Sequence, residues 1–370
     1  MRVLIAFCLV AMAVVAQDRS VTVYVSTDFE HAEPILKAFE KATGIRVAAV
    51  SDTEDNKTVG LVNRLIAEAG ATRADVFWNN ECGQTIRLAR KGLLAPYVSA
   101  NAATIPPAFK DATGLWTGFG ARGRVIVVNT KAAAISTAPS RIADFADPRW
   151  RGTCVMSKPL FGTTLTHAAI LGVRDGKEGM FKYFREVLAN GTRFEKGNAP
   201  AMREVADGGR PFGMTDTDDA HAAVLDGKPV GVIYPDQGPN DVGVVLIPNT
   251  VMMMKGAPHV SEAQALIDWI LRPETEAELA KGRSAQIPLH PGVPRPEHVK
   301  GFEDLKVMVV DWESVSQVLE GAPDDLGKIF IGSNPNEAVS GATDRGPTYI
   351  LAGLVALVIG LAIFRMRTRA

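Results

Sequence analysis

Neither sign of charge dominates this chain: 40 Lys and Arg stand against 41 Asp and Glu, a formal net charge of −1 over 370 residues. That balance leaves no electrostatic footprint for nucleic acid, and no basic tract, stacked-aromatic pattern or zinc-finger spacing supplies one. The GxSxG elbow, the P-loop and HExxH are absent too, which removes the common sequence signatures of hydrolases, nucleotide-binding proteins and zinc peptidases. The six histidines (His31, His167, His221, His259, His290 and His298) have no ligand spacing. Cysteine is scarce: there are three, and Cys8 lies in an N-terminal apolar run. Cys82 and Cys154 fall in different predicted halves, so they are expected as unpaired thiols although an exported chain could pair them. There is no short-period repeat and no long low-complexity run. An enzyme is not expected.

What the chain does have is apolar content, 46% of its residues, and enough length to bury about two cores. Residues 1–16 carry Arg2, an apolar run and small residues before Gln17, the pattern of a secretory signal peptide. Residues 347–364 form an uncharged run of 18, near the lower length for crossing a bilayer, and Arg365, Arg367 and Arg369 follow at once. By the positive-inside rule the tail 365–370 is cytoplasmic and the body lies outside, the orientation a cleaved signal also gives. Residues 333–346 read as a polar linker. The chain is thus expected in the cytoplasmic (inner) membrane as a single-pass protein with its body in the periplasm or extracytoplasmic space.

Between these ends, strands alternate with helices. Val21, Val23 and Val25 alternate with Thr22 and Tyr24 in a strand whose neighbour is expected at 45–50. A helix over 30–43 ends at Gly44, with Pro34 placing its regular part nearer Glu33. Helices are predicted over 57–69 and 81–91, the latter ended by Gly92. Further strands are expected at 124–129, 153–157, 212–215, 230–234, 242–246 and 251–254. Further helices are expected at 164–171, 178–188, 200–207, 218–225 and 261–271, the last opened by a Ser261/Gln264 capping box. Strand, helix, strand with short connections is the unit of a parallel sheet, and polar loops at the carboxyl ends of such strands are where an open α/β sheet binds ligands. Met252, Met253 and Met254 are expected in the core, since a strand alternates its faces.

The ordered landmarks VYVSTDFEHAEPILKAFEKATGIRV, ADVFWNNE, KGLLAPY, the strand RGRVIVVN at 122–129 and the turn FADPRWRG at 145–152 resemble the ferric-ion-binding proteins of bacterial ABC importers. The resemblance covers roughly residues 20–300. It implies an α/β fold, a two-lobed periplasmic binding protein (type II-like) with a hinge, to which the C-terminal transmembrane helix would be added. It also implies lobe one at 18–118 and 240–300, and lobe two at 119–239 and 301–332. Partners would be an ABC permease and its ATPase, and no cofactor is implied beyond bound iron(III) or another hard cation as the transported ligand.

In that family a His, a Glu and a pair of Tyr hold the ferric ion, hard oxygen donors suiting a trivalent cation. By ungapped spacing the His position falls on Asp28 and the Glu position on Asn80, beside Glu81; the Tyr pair falls within 215–219, which holds no Tyr. Carboxylates stand there instead, and Asp28, Glu81, Asp216 and Asp218, with Asp219, are the candidate metal ligands. Helix capping competes as a role for Asp28 and for Thr215–Asp219. Other candidates for ligand contact are Trp78 (with Phe29, through cation–π contact), Asn79 and Asn80 at the end of a strand, and Thr217. The resemblance implies that an arginine at Arg122 or Arg124 holds an anion bound with the metal, and Thr163 and Thr164 could offer it hydroxyls at a helix start. Asp52 and Glu54 could rim the crevice. The expectation is a membrane-tethered solute-binding protein for iron(III) or another hard-cation species. The alternatives are a small organic cation such as a polyamine as ligand, or a sensor presenting its ligand to a membrane partner.

Overall fold

Strand β1 (Ser20–Val25) lies parallel between β2 (Arg46–Ser51) and β3 (Val76–Asn79). This computed structural model describes residues 19–51 and 59–330. Helix α1 (Phe29–Thr43) links β1 to β2 and buries Ala32, Ile35, Leu36 and Phe39, the i, i+3, i+4, i+7 stripe that a sheet-covering helix requires. It begins a turn earlier than Pro34 suggests, with Pro34 inside it; the missing N–H costs one bond, and the chain tolerates that near the helix start. Gly44 ends it in the left-handed conformation, φ 71°. Helices α2 (Val59–Ala67) and α3 (Cys82–Arg90) flank β3 in sequence, and the short β4 is Leu94–Ala95.

The long strand β5 (Thr117–Asn129) connects the two halves of the sheet. Next come β6 (Cys154–Ser157), α4 (Gly162–Ala189), β7 (Arg193–Glu195), α5 (Asn198–Ala206), β8 (Phe212–Asp216), α6 (Thr217–Leu225) and β9 (Val230–Ile233). The two helices expected at 164–171 and 178–188 are one element interrupted at Gly176, whose φ is 76°. The chain then returns through β10 (Leu246–Met254), α7 (Val260–Ile270) and α8 (Pro273–Lys281). The spatial order is β2-β1-β3-β10-β5-β8-β6-β7, with β4 beside β10 and β9 beside β5. β10 pairs with Thr117–Gly123 of β5, and β8 and β9 pair with its remainder. One continuous strand therefore belongs to both halves.

Two sequence expectations give way here. The separate strands at 242–246 and 251–254 are replaced by the single β10, which carries Pro248 through at a register shift between Pro248 and Asn249 where the missing N–H is tolerated. Helix α7 is capped at His259 without a side-chain bond, so Ser261 lies inside the helix and forms no capping box.

One apolar core sits on each half. The first gathers Val23, Phe39, Trp78, Phe119, Leu246 and Leu266, and Phe302, Leu305 and Val307 pack on it. The second gathers Val125, Val127, Val155, Val205 and Ala220. Met252, Met253 and Met254 are all buried, and Cys82 and Cys154 are buried free thiols. At the crossing, Glu276 accepts the N–H groups of Gly120 (2.7 Å), Leu289 and His290, pinning β5 where Gly120 adopts φ 40°. Helix α9 (Trp312–Leu319) then packs against both α3 and α4.

Residues up to Pro323 make one unit; of the second, Asp324–Ala370, the described part is the end of helix α10 (Ala322–Phe330). Among the described residues no helix is long and apolar enough to cross a membrane. The signal at 1–16, the linker at 333–346, the run at 347–364 and the tail lie outside the described residues, as do Asp52 and Glu54.

Candidate functional site

Arg122 and Arg124 stand two residues apart on β5, so the strand's period of two puts them on one face. Antiparallel pairing sets Arg124 opposite Asp216, the last residue of β8. Arg124 has no exposed surface, and its guanidinium donates to Asp216 Oδ1 at 2.6 Å, Thr164 Oγ1 at 3.1 Å, Asn198 Oδ1 at 3.2 Å and Thr163 Oγ1 at 3.3 Å. The other Asp216 oxygen accepts from Thr163 Oγ1 at 2.5 Å and Asn198 Nδ2 at 2.9 Å. Thr163 and Thr164 lie in the first turn of α4, Asn198 begins α5 and Thr217 begins α6. Three helix N-termini therefore converge on one arginine, and their partial positive charge adds to its own.

Arg122 connects the two halves of the sheet. It donates to the Asn80 carbonyl in the first half and lies 3.6 Å from Asp218 and 3.9 Å from Asp216 in the second. Thr217 Oγ1 accepts the Gly123 N–H at 3.1 Å, which ties the same segment of β5 to α6. The Nε atoms of Arg122 and Arg124 are buried without a hydrogen-bond partner. Burial opposes the charge of Arg122, but Asp218, Asp216, Asp28 and Asp219 together hold its pKa above the usual value.

The carboxylates respond in opposite directions. Burial pushes Asp216 up, yet Arg124 and Arg122 outweigh it and hold Asp216 below the usual range. Asp218 is raised by burial, with Asp216 and Asp28 adding repulsion that Arg122 only partly offsets. Asp219 is pushed up to about 8 by burial and by Asp218 and Asp216, while its Oδ2 accepts from Thr215 at 2.9 Å. Glu81 is raised by burial alone, against three opposing hydrogen bonds and Arg122.

Glu81 caps α3: its two oxygens accept the N–H groups of Gly83 and Gln84, both at 2.8 Å. Thr166, on α4 in the other half, donates to the same carboxylate at 3.1 Å. Asp28 stands at the N-cap of α1 without a side-chain cap bond, and its charge reaches Arg122 and Asp218.

The structure thus brings Asp28, Asn80, Glu81, Arg122, Thr163, Asp216, Thr217 and Asp218 around one cluster and leaves two expected residues out. Trp78 is fully buried in the first core, edge-on to Phe119 with ring centroids 5.0 Å apart, so it offers no face to a ligand. Asn79 is fully buried as well; it accepts from Ser26 Oγ at 2.7 Å and donates to the Glu81 carbonyl and Thr85 Oγ1. Nor do Asp28, Glu81, Asp216 and Asp218 come together as a cation cage: among the described residues no group of three or more His, Cys, Asp or Glu side chains is placed to hold a metal ion. The physical reason is that Asp216 is paired with arginine and Glu81 caps a helix. Asn198 and Thr166 were not foreseen. Thr166 carried a weak signal as the third threonine of the run TTLT, and Asn198 carried none beyond its helix-start position.

Three of the tyrosines are engaged elsewhere: Tyr24 donates to Glu68, Tyr97 to Asp268 at 2.8 Å and Tyr183 to the Ile142 carbonyl at 2.9 Å.

The family model described as bacterial extracellular solute-binding protein matches residues 35–306, well over half of the chain. The chain belongs to that family. Such proteins bind solutes for transport and do not transform them, and they work outside the cytoplasm, in agreement with the non-enzymatic reading of the sequence. One relative, Iron uptake protein A1 of Synechocystis, is 25% identical over 302 residues that cover 78% of this chain and 81% of the relative. Iron-bound HitA from Pseudomonas aeruginosa superposes with a TM-score of 0.74 at 24% identity, covering 84% of this chain and 99% of its own. A Trichodesmium protein solved with iron and citrate ligands gives 0.73 at 22% identity, covering 85% and 100%. At these identities the structural likeness establishes the fold, the two-lobed α/β binding protein.

Proposed function

We propose that this chain is the solute-binding component of an ABC importer, that it works with a permease and an ATPase, and that its cargo is iron(III) carried with oxygen ligands of its own. Iron-binding relatives support the metal, and the Trichodesmium neighbour was solved with iron and citrate together. The observation that carries the second half of the reading is the pairing of Asp216 with Arg124. A carboxylate already neutralised by a buried arginine is a poor ligand for a bare ferric ion, whereas Arg122, Arg124 and three helix N-termini favour a carboxylate-bearing chelator. Asp28, Asn80, Glu81, Arg122, Thr163, Asp216, Thr217 and Asp218 form the proposed ligand surface between a first lobe (18–118 and 240–300) and a second (119–239 and 301–332, of which Phe302, Leu305 and Val307 pack back on the first core). Asp28 and Asp218 are its candidate direct metal contacts. The same arginines support a second reading, an organic anion without metal. An organic cation such as a polyamine, which brings no anionic ligand of its own, meets the uncompensated repulsion of Arg122 and Arg124.

The run at 347–364, followed by three arginines, supports a body tethered to the inner membrane beside its transporter, after removal of a signal at 1–16. Native mass spectrometry with metal analysis of the purified protein tests the cargo. Iron with a carboxylate chelator in one-to-one ratio is expected; an organic anion alone would favour the second reading.

A further inference from the structure

We propose that helix α9 is a strap across the two lobes that limits how far they part. It packs on α3, which follows β3 in the first half of the sheet, and on α4, which follows β6 in the second. The approach is close on both sides. A Cβ built on Gly83 of α3 would fall 2.1 Å from Leu319 Cδ1, and one built on Gly172 of α4 would fall 3.0 Å from Val318 Cγ1, so a larger residue at either glycine would make the strap's side chains shift. Arg90, at the other end of α3, reaches Glu313 and Glu320, each at 3.4 Å.

The strap is itself a firm element. Asp311 caps it, accepting the Ser314 N–H at 3.2 Å and the Ser314 hydroxyl at 2.6 Å, and Trp312, Val315 and Leu319 form a buried stripe at i, i+3, i+7. The lobes meet on these same two helices, because Thr166 of α4 donates to Glu81 at the cap of α3. Hinge opening separates α3 from α4, and a single rigid helix cannot follow both. Opening must therefore expose apolar surface of α9 on one side, which biases the ligand-free protein towards closure.

The test is made without ligand, so it does not depend on what the cargo is. Spin labels at the exposed Lys37→Cys of α1 and Lys182→Cys of α4, in a Cys8→Ser background, report the lobe separation by double electron–electron resonance; Cys82 and Cys154 are buried and resist labelling. Val318→Ala with Leu319→Ala is expected to lengthen the mean distance by more than ~2 Å, the scale of a genuine domain rearrangement. Glu313→Lys with Glu320→Lys, confined to exposed positions that leave folding intact, should shift it the same way by less. Distance distributions that superimpose on the parent in both folded variants would overturn the proposal. If the alanine pair fails to fold, an unchanged distribution in the charge-reversal pair alone would do the same.

Discussion

The guanidinium of Arg124 meets the carboxylate of Asp216 at 2.6 Å, and neither side chain is appreciably exposed. Two charges so placed are costly to separate, since removing one leaves the other buried without compensation. Asp216→Ala is therefore expected to destabilise the protein by about 3–5 kcal/mol in denaturant unfolding, and any loss of affinity in that variant must be read against it. Arg124→Met with Asp216→Leu should recover most of the loss, because a well-packed apolar pair replaces a buried ion pair at little cost.

Glu81 joins stability to closure. Glu81→Ala removes two cap bonds from α3 and should cost about 1 kcal/mol in the same unfolding assay. It also removes the acceptor of Thr166, so the labelled lobes should sit farther apart. Thr166→Val should loosen the lobes with a much smaller change in stability, since it leaves the cap intact.

How much of this was legible in the sequence differs sharply between fold and site. The strand at 20–25, the helix ended by Gly44 and the helix ended by Gly92 follow from period and punctuation, which are local. The single strand β10 was hidden by Pro248, whose register shift depends on pairing with β5, a non-local fact. The site was half visible. Thr163 and Asp216 lie at element ends, where ligands gather, and Arg122 stood just before the strand expected at 124–129 although it lies inside β5, but sequence could not show that Arg124 neutralises Asp216 or that Glu81 caps a helix and receives a hydroxyl from the opposite lobe. Trp78 misled because an aromatic at a strand's carboxyl end looks the same whether it faces the crevice or the core.

The acids predict a pH response. In the folded protein Asp219 titrates at about 8, above its ordinary carboxylate value, so the folded state binds more protons than the unfolded state in the interval between. Stability from this group is greatest at low pH and falls as pH rises from about 4 towards about 8. Asp216, held low, acts in the opposite sense: its contribution is present above the unfolded carboxylate pKa and is lost as pH falls through its folded value. Asp219→Asn should flatten the decline between pH 5 and pH 8, conditions taken at roughly the two ends of that window, in chemical unfolding curves. An unchanged slope would assign the decline to another group.

Trp78 separates core from site. Trp78→Ala should cost about 3–5 kcal/mol through the cavity it leaves beside Phe119. Its affinity for cargo, measured well below its unfolding transition, should stay near that of the parent.

The most direct test of the cargo is a calorimetric titration of the full-length protein with ferric citrate and with citrate alone, recorded in parallel by visible absorbance. Saturable binding of ferric citrate is predicted, weakened about tenfold or more by Arg122→Ala through loss of a charge-assisted bond. No intense phenolate-to-iron band should appear, because among the described residues Tyr24, Tyr97 and Tyr183 are bonded elsewhere and Tyr234 is packed against the two apolar cores. An intense phenolate band, or affinity unaltered by Arg122→Ala, would contradict the account.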